Sequence, residues 1–277
     1  MGRRLLGFAA CAFVLAVLAT PAGAATPTVS AATLLPRIAT AAPHVGGYDR
    51  DLFRLWTDAD GDGCDTRKEV LLAEARVLPT VLAGCRLGGG RWWSAYDGLF
   101  ITDASSLDID HFVPLSEAWQ SGAWRWSSAT REAYANDLGY PLSLIAVTAT
   151  TNRAKSDMDP AEWMPPFAAY RCTYVASWIA VKWRWRLAVD GLERAALRVG
   201  LTGCGAAARV PRPARAAVAL GSPSASAPAV ASSSGLDPRF PYCSDAIAAG
   251  YGPYAEGRDP EYAWYRDGDG DGVVCER

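Results

Sequence analysis

The residues able to do chemistry gather in two short stretches, Asp108-Ile109-Asp110-His111-Phe112-Val113-Pro114-Leu115 and Thr151-Asn152-Arg153-Ala154-Lys155-Ser156-Asp157. An imidazole has its ordinary pKa near neutrality. His111 therefore suits a general base that must be unprotonated yet able to take a proton. Asp110 and Asn152 are hard oxygen donors, matched to Mg2+ or Mn2+ and poorly matched to Zn2+. Arg153 and Lys155 follow the candidate ligand Asn152 closely and place positive charge where phosphate oxygens could be gripped. A base, a cation site and phosphate grips together describe phosphodiester hydrolysis. On spacing alone a hydrogen-bonded structural histidine is the commoner use of such a residue, and Asp-X-Asp is frequent in turns. Zinc is a poor alternative, because the chain has only His44 and His111 and contains no Cys-X-X-Cys.

A second cluster lies near the C-terminus, Asp267-Gly268-Asp269-Gly270-Asp271-Gly272-Val273-Val274-Cys275-Glu276. Carboxylates at Asp267, Asp269 and Asp271, glycine at the sixth position and the Val273 carbonyl at the seventh follow the first half of an EF-hand loop. Glu276 closes it two positions early. Acidic side chains crowded in this way repel without a cation, so the loop is read as a Ca2+ site. Asp58, Asp60, Asp62 and Gly63 lead to Glu69 with the full twelve-residue spacing. There Asp65 stands where an apolar residue normally packs. A calcium loop and a disulfide-pinned turn both remain open for that stretch.

These side chains must be held by elements. Leu107 to Val113 alternates as a strand, with Leu107, Ile109 and His111 on one side and Pro114 ending it. Leu142 to Thr148 reads as a second short strand. A helix capped by Thr150 or Thr151 follows through Asn152 to Ser156. Tyr48, Leu52, Leu55 and Trp56 recur at helical spacing, and Lys68 to Leu78, Ser127 to Leu138 and Tyr170 to Leu187 read as further helices. The fold class expected is α+β, richer in helix than in strand.

Composition sets the frame. Of 277 residues half are hydrophobic and 29 aromatic, enough for a well-buried core. A formal charge of −2 excludes a binder that works by bulk counterion release, so any nucleic-acid contact must be local. Arg3 and Arg4, an apolar run from Leu5 to Leu18 and Ala22-Gly23-Ala24 have the order of a secretory signal peptide over residues 1–24. The expected product is secreted or attached to the cell surface, with no transmembrane span after cleavage. Cys64, Cys85, Cys172, Cys204, Cys243 and Cys275 then remain, and pairing sequence neighbours is the natural arrangement in an oxidising compartment. A dense domain is expected over 25–204. An Ala/Ser/Pro-rich flexible linker follows over 205–236, and a small module stabilised by a disulfide and calcium over 237–277.

The two stretches together resemble the ββα-metal core of the HNH endonucleases. Cys64 to Arg67, Ser121 to Trp124, Ala135 to Leu138 and Asp159 to Trp163 add a closer resemblance to secreted bacterial HNH-endonuclease-family proteins. That resemblance covers Tyr48 to Cys204. It implies His111 as general base, Asp110 and Asn152 as metal ligands, and a nucleic-acid substrate, with DNA expected first and RNA left open. Local basic grips on phosphate carry no base information, so little sequence preference is expected. The C-terminal loop, ending in Cys-Glu, resembles the Excalibur calcium-binding domain. The rival expectation is a non-enzymatic calcium-binding protein of the cell envelope with an inactive core.

Overall fold

The computed structural model describes residues 26–221, 236–240, 243, 246, 251–265 and 272–275. The expected signal segment and the ligand candidates Asp267, Asp269, Asp271 and Glu276 lie outside the described residues. The fold is α+β. It runs through β1 (Thr28–Ser30), α1 (Ala31–Leu34), α2 (Thr66–Glu74), the hairpin of β2 (Thr80–Leu82) and β3 (Arg86–Gly88), and the hairpin of β4 (Trp92–Ser94) and β5 (Leu99–Ile101). Then come β6 (Leu107–His111), α3 (Leu115–Gln120), α4 (Ser128–Ala135), β7 (Leu144–Thr148), α5 (Ala149–Lys155), α6 (Arg171–Trp185), α7 (Gly191–Thr202) and β8 (Arg209–Pro211). The C-terminal module adds β9 (Tyr254–Ala255) and β10 (Val273–Val274), which pair antiparallel.

β6 and β7 form an antiparallel ladder in which Leu107 faces Thr148 and His111 faces Leu144. Alternation then sorts the side chains of β6. Leu107 and Ile109 pack with Val70, Leu71 and Trp92, joined by Leu144 and Ala146 of β7. Asp108 and Asp110 face the other way, towards α5. β7 runs directly into α5, and the Thr148 hydroxyl caps the helix at the Thr151 N–H. Thr148 lies two or three residues before the caps expected from sequence, Thr150 and Thr151, which lie inside the first turn. The larger core surrounds α6, whose residues Tyr174 to Lys182 are all buried. A helix enclosed on every side shows little amphipathic contrast. Phe112, fully buried in that core, contributes roughly 1.5–3 kcal/mol on removal from water.

Two expectations are corrected here. The segment from Tyr48 to Trp56 forms only a 3-10 turn over Arg50–Leu52, capped by the Asp49 carboxylate on the Asp51 N–H. Phe53 is drawn into the core, and Trp56 takes a positive φ of 56° to lie on His111, so tertiary contacts override the helical spacing. The expected linker also does not begin at Gly205. β8 pairs with β1, and Val210 and Ala216 are buried. Residues up to Gly221 stay on the domain, where the Gly221 N–H donates to the Arg125 carbonyl. An Ala/Pro-rich composition still supplies a strand edge and small apolar side chains when a partner strand is waiting.

The cysteines pair as sequence neighbours: Cys64 with Cys85, Cys172 with Cys204, and Cys243 with Cys275. In the C-terminal module Ala246, Tyr254, Val274 and Cys275 form a small core, with the rings of Tyr254 and Tyr265 stacked at 5.8 Å. Gly272, next to the acidic run, has φ 82°, a conformation that side-chain-bearing residues resist. Among the described residues no helix is long and apolar enough to cross a membrane.

Candidate active site

A cavity of about 410 Å3 opens where β6 ends, lined by Asp110 and His111 from the strand and by Asn152 and Arg153 from α5. Although neighbours in a strand point to opposite faces, the strand stops at His111, and both side chains reach the same opening. Asn152 and Lys155 lie three apart on the face of α5 that meets β6.

His111 is buried, with its ring stacked on Trp56 at 5.6 Å and on Tyr134 at 6.3 Å. Its Nε2 lies 2.9 Å from the Ala135 carbonyl. A carbonyl only accepts, so Nε2 carries the proton and Nδ1 keeps the lone pair. Burial pushes the imidazole pKa down to about 4. The Ala135 carbonyl opposes that shift, and the charges of Arg50 and Lys155 reinforce it. At neutral pH the ring is therefore a free base.

Asp110 is buried and accepts from the Tyr96 hydroxyl at 2.6 Å and from Lys155 Nζ at 3.0 Å on Oδ1, with its Oδ2 2.8 Å from the same ammonium. Burial raises the Asp110 pKa and lowers that of Lys155, while their mutual attraction works against both shifts. Lys155 is 0 % exposed and also donates to the His111 carbonyl at 3.2 Å. It is thus not placed to grip a substrate phosphate: the expectation fails because α5 turns Lys155 inward onto Asp110. Arg153 is exposed, and its Nε lies 3.8 Å from Asp108 Oδ2. Asn152 Nδ2 donates to the same carboxylate at 3.1 Å, which leaves its carbonyl oxygen uncommitted. Arg67 donates to the Ala104 and Leu107 carbonyls and braces the start of β6 rather than joining the site.

The residues present fit a hard divalent cation. The donors are oxygens, Asn152 Oδ1 is uncommitted, and a carboxylate has about four lone-pair directions, of which these donors leave one open on Asp110. Among the described residues, the clusters of three acidic or sulfur ligand atoms lie elsewhere, in the loop from Asp58 to Glu69. There both Asp58 oxygens accept backbone N–H groups, from Gly61 and Gly63, and Asp62 accepts from Cys64. The cavity also contains residues that the motifs did not identify: Tyr48 and Arg50 from the N-terminal segment, and Ser116 at the start of α3. Their only advance signal was the Tyr-Asp-Arg run itself, which carries no spacing rule. Val273, the described member of the calcium set, lies in β10 opposite Ala255.

Residues 91–198 match the GmrSD restriction endonucleases, C-terminal domain, and residues 240–276 match the Excalibur calcium-binding domain. An uncharacterized secreted protein of Arthroderma benhamiae is 42 % identical over 203 residues, which cover 71 % of this chain and 98 % of that protein. No solved structure matches. The first match runs from β4 into α7, and so contains every element that lines the cavity except the Tyr48–Arg50 turn. The chain therefore belongs to the same family as that secreted protein, and within it the region around the buried His111 is similar to the GmrSD endonuclease C-terminal domain, followed in sequence by one similar to the Excalibur calcium-binding domain.

Proposed function

We propose that this exported protein is a metal-dependent endonuclease of the HNH type that hydrolyses phosphodiester bonds in nucleic acid, DNA in the first instance. The observation that carries the reading is the fixed tautomer of His111. The Ala135 carbonyl holds Nε2–H, and the lone pair of Nδ1 remains for the attacking water. Asp110 and Asn152 would hold Mg2+ or Mn2+. Such an ion, when bound, neutralises charge on the phosphate and the leaving 3′ oxygen. His111 takes the proton of the water as its oxygen bonds to phosphorus, and the bond to the 3′ oxygen breaks. Asp108 orients Asn152 and draws Arg153 to the rim, where the arginine serves the substrate backbone. Contacts to phosphate carry no base information, so cleavage should show little sequence preference.

The C-terminal module is read as a Ca2+ site formed by Asp267, Asp269, Asp271, the Val273 carbonyl and Glu276, supported by the Excalibur match. The domain division proposed is a signal segment over 1–24, a nuclease domain extending to Gly221, a linker to 236 and the calcium module. Attachment to the cell envelope through that module belongs to the same proposal. Plasmid nicking by the purified protein with Mg2+, Mn2+ or Ca2+, and with EDTA as control, tests the enzymatic reading. Absence of cleavage under every metal, with the protein folded, would leave the non-enzymatic calcium-binding reading in its place.

A further inference from the structure

We propose that Arg50 grips the scissile phosphate from the wall of the cavity formed by the N-terminal segment. The inference rests on the nuclease reading above and deepens it. A site that cleaves a phosphodiester needs positive charge on the non-bridging oxygens as negative charge grows there. Around this cavity Lys155 is spent on Asp110 and the His111 carbonyl, and Arg153 leans on Asp108. Arg50 lines the same cavity, is exposed, and takes part in none of the ion pairs among the described residues. Its charge is near enough to be felt at His111.

The placement is built rather than incidental. Asp49 caps the turn that carries Arg50, and Phe53 anchors the turn in the core. Tyr48, two residues before Arg50, lines the same wall of the cavity. A guanidinium presents parallel N–H groups that match two oxygens of one phosphate, which an ammonium cannot do. Arg50 and Tyr48 thus complete a site whose remaining parts come from β6 and α5.

Three variants of the full chain test this: Arg50→Ala, Arg50→Lys, and Arg86→Ala as an exposed arginine outside the cavity. Two readouts are needed. Initial cleavage rates are taken with Mg2+. Binding of a short DNA duplex is followed by fluorescence anisotropy in EDTA over a KCl series. Arg50→Ala should lower kcat/KM about 100-fold, and should reduce the slope of log affinity against log salt by about 0.9. Arg50→Lys should keep most of the slope yet recover only part of the rate, because one charge survives and the paired geometry does not. Arg86→Ala should behave as wild type. If Arg50→Ala fails to fold by thermal unfolding, Arg50→Gln, which removes the charge and keeps a long polar side chain, takes its place with the same expectations. An active wild type whose Arg50 variants cut and bind equally well overturns this inference alone. So does an Arg50→Ala variant that loses rate while keeping the full salt slope. A folded wild type that neither binds nor cuts overturns the nuclease reading and this inference with it.

Discussion

His111 and Lys155 differ in what their burial does. The imidazole gives up its proton on burial, whereas the ammonium keeps a carboxylate beside it. For His111 the pKa falls from an ordinary 6.5 to about 4, so the unfolded chain binds the extra proton between those values. The stabilisation is fully present above pH 6.5 and is lost as pH falls through that window. Urea unfolding at pH 7 and pH 4.5 should therefore show wild type losing about 2–3 kcal/mol more than His111→Gln over the same interval. Equal losses would contradict the buried neutral ring. The same substitution should cut nuclease activity by at least about 100-fold, the usual share of a general base. For Lys155 the expectation is structural. Lys155→Met leaves Asp110 buried without its partner, and should cost about 3–5 kcal/mol in denaturant while leaving the salt slope of DNA binding unchanged. A slope lowered by about one would instead restore Lys155 as a phosphate contact. Asn152→Ala should move the midpoint of a Mg2+ titration of activity upward, with partial recovery at high Mg2+. An unmoved midpoint with full activity would remove Asn152 from the cation site.

The elements explain why these residues meet. β7 passes into α5 without a loop, so the helix that carries Asn152, Arg153 and Lys155 is aimed by the strand that pairs with Asp108, Asp110 and His111. Thr148 sits at the junction, where its hydroxyl meets both Asp97 at 2.5 Å and Thr151 at 2.6 Å. Thr148→Val keeps the β-branched shape and removes the cap. It should cost about 1 kcal/mol in thermal unfolding and lower activity by loosening the first turn of α5. Unchanged stability would mean that the ladder alone positions the helix. Ser156, at the other end, adopts φ 50° and ψ −128°, a turn that brings Asp157 to the cavity and within 3.3 Å of Ser116 Oγ. Both ends of this short helix are thus fixed by side chains that do not belong to it.

At the scale of the whole chain, the nuclease-like domain closes on itself through the pairing of β1 with β8. A chain ending at Cys204 loses that pairing together with buried Val210 and Ala216, and should unfold at a markedly lower temperature. A chain ending at Gly221 should match the full-length protein in its main thermal transition and in cleavage. If the two truncations are equally stable, the β8 segment is an ornament. Calcium binding should partition the opposite way. Asp269→Asn with Asp271→Asn should abolish the heat of Ca2+ binding in calorimetry and leave cleavage intact, because binding stabilises only the module that contains the site. Loss of cleavage in that variant would show the two parts are coupled.

Much of this organisation was legible in the amino-acid order. Strand alternation, the histidine beside a carboxylate, the neighbouring cysteines and the acidic C-terminal run are local patterns, and local patterns survive whatever the rest of the chain does. The tertiary structure decided three things that they could not. It spent Lys155 on Asp110, because which cation is drawn inward depends on what α6 and Tyr96 exclude from water around that carboxylate. It brought Tyr48 and Arg50 to the cavity, since a 3-10 turn with no periodicity is placed by the packing of Phe53 and not by its own spacing. It also drew residues 205–221 out of the apparent linker, because the partner of β8 is β1 at the other end of the domain, and a contact between segments so far apart in sequence leaves no trace in either one alone.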